Sequence, residues 1–316
     1  MRRGFQYLWP VLFGMLSWSS LSLPAKEYFD RALERQKAGD LAGAIVDYTQ
    51  ALALDPKNAQ AYNNRGEARR HRGDVAGAIA DFTRALELDP KHANTYYNRG
   101  LARKQQGDLE GAIADYTKAL ELNPKFAQAC NNRGFARKQM GDLDGAIADY
   151  SRALKIDPSH AIACNNRGIA HYLNRNWPEA LADFRRKAEL APLEADTPQL
   201  YIWILRVRLG GRTTADRELA AYLLSRAGPV DVAWARRVGA FLLNHLGEEA
   251  LLLAAASTDR KLECEQQCSA WFFSGMKLLL AGERTAAAEH FQKCLATESK
   301  NDPEYDFAAA ELKALQ

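Results

Sequence analysis

AQACNNRGFARKQMGDLDGAIADYSRALKIDPSH, residues 127–160, is one copy of a thirty-four-residue pattern that the chain writes five times in succession. Gly66, Gly100, Gly134 and Gly168 stand thirty-four apart, as do Ala44, Ala78, Ala112, Ala146 and Ala180, and as do Pro56, Pro90, Pro124, Pro158 and Pro192. A period of this length outranks other signals, because each copy is one supersecondary unit that depends on its neighbours. The copies run 25–58, 59–92, 93–126, 127–160 and 161–194. In the copy at 59–92 the pattern predicts a helix from Ala59 to Arg72, a break at Gly73-Asp74, and a second helix to about Leu88, stopped by Asp89-Pro90. Gly66 and Ala78 are small where the two helices cross, and Phe82 with Ala85 is expected to fill the space towards the next copy. One such hairpin cannot hide its own apolar side, so stacked copies build an all-α array with a concave groove.

The pattern resembles the tetratricopeptide repeat family, on Gly134, Gly141, Ala146, Tyr150, Ala153 and Pro158 in the fourth copy and their equivalents in the others. The resemblance implies a right-handed α-α superhelix whose first helices line the groove, and it says less about function than about fold. The chain departs from the family at Ala32, where glycine is usual, and at Arg35, Arg69, Arg103, Arg137 and His171, where an aromatic is usual. The fifth copy departs again at Arg175-Asn176 and at Lys187, as if the regular array ends there.

A second regularity belongs to this chain itself. Arg31/Asp47, Arg65/Asp81, Arg99/Asp115, Arg133/Asp149 and Arg167/Asp183 all stand sixteen apart, which sets an arginine on the first helix against an aspartate on the second. We read each as an ion pair within its hairpin, beside the alternative that the arginines face a ligand. A buried pair that loses one member leaves an uncompensated charge. Asp115→Ala is therefore expected to destabilise the array more than removal of Lys104, taken as an unpaired reference.

Mapped on the family's groove, the inner wall presents Asn64, Asn98, Asn132 and Asn166, flanked by Asn63, Tyr97, Asn131 and Asn165, with Arg70, Lys104 and Lys138 lower down. An amide both donates and accepts, which suits the backbone of an extended peptide. The basic row favours an acidic segment. Leu101, Phe135 and Ile169 make part of the wall apolar. Of the carboxylate clamp used by chaperone-binding members of the family, only the asparagine has its counterpart here. The alternative is that the asparagines bridge neighbouring copies and bind nothing, since inward amides need partners.

Residues 1–25 read as an export signal: Arg2-Arg3, an apolar run from Tyr7 to Trp18, then Ser19, Ser20, Ser22 and Ala25. The run is short for a span, and membrane attachment is expected only if this leader stays uncleaved. With 316 residues and 47% hydrophobic content the chain has material for a large core, and a net charge of +3 gives no case for nucleic acid.

After Pro192 the period is lost. Residues 195–262 read as divergent helical hairpins: one helix from Thr197-Pro198 to Gly210, one from Thr214 to Ser225, one opened by Pro229, and one from Glu248 to Ala255. Residues 263–316 read as a degenerate hairpin, with Trp271, Gly275, Gly282, Ala287, Phe291 and Cys294 at family positions, plus a closing helix. That helix starts at Asp302-Pro303, carries Tyr305, Ala308, Ala309, Leu312 and Leu315 on one side, and is expected to cover the end of the array. The whole arrangement is loosely similar to bacterial envelope adaptors.

Cys268 and Cys294 fall on antiparallel helices and are candidates for a disulfide, while Cys130 and Cys164, in equivalent positions of adjacent copies, are too far apart for one. Cys264, Cys268, His290 and Cys294 would make a Cys₃His metal site if brought together. No catalytic constellation, cofactor motif or phosphate-binding loop is visible. The sequence therefore points to an exported, non-catalytic scaffold for another protein or peptide. The alternatives are a metal-handling or enzyme-accessory protein using the Cys/His set, and a self-associating architectural solenoid.

Overall fold

The structure, a computed structural model, describes residues 23–226 and 234–316. The expected leader, but for its last three residues, and Pro229 lie outside the described residues. Among the described residues all regular structure is helical, and no helix is long and apolar enough to cross a membrane.

The chain divides into two compact units at Asp89–Pro90. The first holds α1 (Ala25–Lys37), α2 (Leu41–Leu54), α3 (Ala59–His71) and α4 (Val75–Leu88). Each second helix starts at an aspartate, Asp40 or Asp74, whose carboxylate accepts from the backbone N–H of Gly43 or Gly77. An aspartate N-cap satisfies one of the N–H groups that a helix start leaves unbonded. Ala32, Ala44, Tyr48, Leu52 and Ala61 form the core here, with Phe29, Leu33 and Tyr62 against it. Phe82 lies under Gly66 of its own hairpin, in the space a side chain there would need.

The second unit continues the pattern in α5 (Ala93–Gln106) with α6 (Leu109–Leu122), α7 (Ala127–Gln139) with α8 (Leu143–Ile156), and α9 (Ala161–Leu173) with α10 (Trp177–Leu190). Gly107 ends α5 with φ 88°, a left-handed conformation that glycine adopts freely. In the last hairpin Arg175 takes that place at φ 61°. The close approach of each pair rests on one glycine: a Cβ on Gly134 would stand 2.9 Å from Cε1 of Tyr150 and 3.1 Å from the Ala146 carbonyl oxygen. Tyr150 is fully buried and cannot yield. Gly134→Ala is thus expected to destabilise by about 1–2 kcal/mol, net of the ~1 kcal/mol that alanine gains over glycine in a helix. An unchanged thermal midpoint would count against this packing.

Beyond the array come α11 (Asp196–Arg208), α12 (Arg212–Ser225), α13 (Trp234–Leu242), α14 (Glu248–Ala254), α15 (Arg260–Ala281), α16 (Arg284–Ala296) and α17 (Pro303–Leu315). α15 begins at Arg260, three residues before the expected start at 263, where Asp259 caps it by accepting from the N–H groups of Lys261 and Leu262. Tyr172 on α9, Tyr201 on α11, Phe272 and Phe273 on α15, and Phe307 on α17 share one core.

α17 corrects the reading made from its sequence. Tyr305, Ala308, Leu312 and Leu315 of the expected stripe do lie on the core, but Ala309 is exposed, and Glu304, Phe307 and Glu311 are buried beside them. Two carboxylates turn inward because partners wait there: the Tyr201 hydroxyl donates to Glu304 at 2.7 Å, and the Tyr172 hydroxyl and Arg208 donate to Glu311 at 2.9 and 2.7 Å. The Phe307 ring lies 3.9 Å, centroid to centroid, from that of Tyr172. α17 therefore packs on α9, α15 and α16, reaching back to a first helix of the array instead of only closing its end.

Candidate functional site

Every repeat hairpin carries the same charged cluster. In the first unit Arg31 donates to Asp47 through Nε at 2.7 Å and Nη2 at 2.6 Å, and Arg65 donates to Asp81 at 2.9 and 2.7 Å. In the second, Arg99, Arg133 and Arg167 hold Asp115, Asp149 and Asp183 by the same two-pronged contact, at 2.6 to 3.0 Å. The aspartates are buried, and the Arg31 bonds hold the Asp47 carboxyl below the usual carboxylate range.

A second arginine joins the first four clusters, and the sequence reading missed it. Arg35, Arg69, Arg103 and Arg137 reach the same carboxylates at 2.8 to 3.0 Å. They also donate to the backbone carbonyls of Gly43, Gly77, Gly111 and Gly145. The signal was present, since these residues follow the first arginines by one helical turn in four copies. In the fifth, His171 stands in that place, half-buried rather than on the surface, with Nε2 4.0 Å from Asp183. Burial lowers its pKa.

Two of the asparagines bridge repeats. In the second unit the Asn132 amide donates to the Tyr97 hydroxyl at 3.1 Å and to the Gln128 carbonyl at 3.0 Å, while its oxygen accepts from Lys104 at 3.2 Å. The Asn166 amide donates to Asn131 at 3.0 Å. Asn98 is half-buried on α5. In the first unit Asn63 donates to Asn64 at 3.1 Å, and Arg70 lies 3.0 Å from His71. Asn132 and Asn166 therefore tie first helices of neighbouring copies together before they offer anything to a ligand.

Lys104 and Lys138 sit over the Phe135 ring, 5.0 and 5.8 Å from its centroid. Lys138 also holds the Asp306 carboxylate of α17 at 2.8 Å. Between the inner faces of α7 and α9 and the outer side of α17 lies a cavity of about 770 Å³. Phe135, Ile169, Leu109, Leu143 and Leu173 give it an apolar floor, Asn165, Asn166 and Gln139 line it, and Lys138, Lys300 and Lys313 make it basic. Lys300 and Lys313 escaped the sequence reading because they come from the far end of the chain.

The Cys/His set is not assembled. His290 faces Glu248 at 2.6 Å and the Ala286 carbonyl at 2.8 Å, so both ring nitrogens are engaged away from sulfur. Among the described residues no three potential ligands are grouped as a metal site. Cys268 and Cys294 meet as free thiols with sulfurs 3.2 Å apart, sharing a hydrogen bond and not a disulfide. That bond and burial push the Cys294 thiol well above its ordinary value. Cys130 and Cys164 are buried, and burial raises both thiols.

A family model described as Tetratricopeptide repeat matches residues 93–126 and 127–160, and another of the same description matches 29–93. No curated protein matches the chain. Among solved structures, MamA protein is 27% identical, with a TM-score of 0.50, over 54% of this chain and 93% of that one. PilF of Pseudomonas aeruginosa is 21% identical, with a TM-score of 0.55, over 64% and 89%. A tetratricopeptide repeat protein from Parabacteroides merdae is 18% identical, with a TM-score of 0.55, over 91% and 98%.

Proposed function

We infer that, because the chain belongs to the tetratricopeptide repeat family, its work is to hold another protein or peptide, without catalysis. The observation that carries this reading is the cavity of about 770 Å³ beside Phe135, Ile169 and Lys138. A segment of polypeptide fits such a space, its apolar side chains meeting the floor and its backbone meeting Asn165 and Asn166. Three lysines around one aspartate select an acidic segment, since complementary charge sets partner choice and encounter rate more than raw affinity.

The test is direct. A fluorescently labelled peptide rich in glutamate, aspartate and leucine is expected to raise its anisotropy on addition of the protein, and its lysine-substituted counterpart is not. Binding should weaken with salt, and with alanine at Lys138, Lys300 and Lys313 together. Equal binding of the two peptides, or of parent and triple variant, would remove this reading.

On the same footing we take the chain to be exported, on the basic, apolar and small-residue order of residues 1–25. A mature protein starting near Ala25 is expected. Recovery of the intact N-terminus from the cytosolic fraction would end that part of the proposal.

A further inference from the structure

The helix that walls the cavity has two faces with different duties. Glu304, Phe307, Ala308 and Glu311 enter the core, whereas Pro303, Asp306, Ala309, Ala310 and Lys313 face the cavity. Anchoring belongs to the first face, through Tyr201, Tyr172 and Arg208. The second face is small or charged and leaves the space open. Its Asp306 nevertheless crosses to Lys138, in a pair whose side chains keep 36% and 15% of their exposure. Asp306 is the more exposed member, so water and a competing carboxylate can reach the Lys138 ammonium from the cavity side.

Repeat equivalence adds a second observation. Lys104, Lys138 and Tyr172 occupy one position in three successive repeats, thirty-four residues apart. Two of the three hold a carboxylate of α17: Lys138 holds Asp306 at 2.8 Å, and Tyr172 donates to Glu311 at 2.9 Å. Five residues separate those acids, about 7.5 Å of helix rise. α17 thus lies across the wall as an acidic ligand would, one carboxylate to each repeat.

Resting on the reading of the cavity as a peptide site, we propose that Asp306 is an internal stand-in for the partner: the partner's acidic residue displaces Asp306 from Lys138, while Glu311, buried on Tyr172, stays in place. Lys104, one repeat further along, takes the partner's next carboxylate. The class of ligand is then an acidic segment whose carboxylates recur at about the spacing of the repeats, with a large apolar side chain between them for Phe135 and Ile169.

The experiment compares Asp306→Asn with the parent, using the glutamate-, aspartate- and leucine-rich peptide at low salt. Removing the competitor is expected to tighten binding roughly three- to tenfold. Adding Lys138→Met to the Asp306→Asn chain is expected to cancel that gain, because the freed ammonium is its source. If the parent binds and Asp306→Asn binds no better, the stand-in is refuted and the cavity reading survives. If the gain persists with Lys138→Met, it comes from a loosened α17, and the proposal also fails. Binding by none of the proteins removes the cavity reading and this one with it.

Discussion

Asp115→Ala is expected to destabilise the second unit by about 3 kcal/mol, seen as a fall of roughly 6–12 °C in thermal midpoint. The carboxylate accepts from Arg99 at 3.0 and 2.7 Å and from Arg103 at 2.8 Å, and it is itself buried. Its removal leaves two guanidinium groups, 15% and 26% exposed, facing each other across an empty space. Partial access to water keeps the loss towards the low end for a broken buried pair. Lys104 does not serve as the reference, since it donates to Asn132. Lys125, exposed on the turn before α7, does, and Lys125→Ala should stay within about 0.5 kcal/mol of the parent. Similar midpoints for the two variants would mean that the clusters are spectators of folding.

Glu304 and Glu311 enter the same core from one helix and meet different fates. Glu311 has the Arg208 guanidinium at 2.7 Å, whereas Glu304 is met by the uncharged Tyr201 hydroxyl and a backbone N–H. Burial pushes the Glu304 carboxyl up to about 7 against an ordinary 4.5, and the Tyr201 bond offsets only part of this. An acid whose folded value is raised favours folding fully below its unfolded pKa, and the advantage drains away as pH rises to the folded value. Between about pH 4.5 and pH 7 the parent should thus lose roughly 3 kcal/mol through this one group. Glu304→Gln is neutral throughout and keeps an oxygen for Tyr201. Urea unfolding at a series of pH values should show the variant gaining on the parent across that window and running parallel above it. Parallel curves over the whole range would show that Glu304 is solvated and ionised.

What could be read in advance follows from how local the cause is. The break between Arg72 and Val75, the stop after Leu88 and the aspartate at each second helix start are set by a few adjacent residues, and α3 and α4 match the expected limits within a residue or two. The sixteen-residue spacing placed Arg99 opposite Asp115 because both sit on regular helices of one hairpin. Arg103 was harder to assign, since its family counterpart is aromatic and packs instead of pairing. The buried acids of α17 lay out of reach for another reason. A helix is ordinarily oriented by its apolar stripe, with acids turned outward, but Glu304 and Glu311 find Tyr201 and Tyr172, 103 and 139 residues away in sequence. The cavity inherits that difficulty, because Lys300, Asp306 and Lys313 acquire meaning only once α17 is set beside α7 and α9.

Tyr172 with Glu311 fastens the last helix to α9, and Asp306 meets Lys138 of the neighbouring hairpin. Tandem arrays commonly change length by gain or loss of whole copies, because each copy touches only those beside it. A copy inserted after Leu190 would carry α9 away from α17 and strand a buried acid without its tyrosine. One inserted ahead of Ala93 would leave every contact within the second unit as it is. Duplication can therefore lengthen this protein at its N-terminal side alone, and the distance from Lys138 to the end of the array is frozen by its own closing helix.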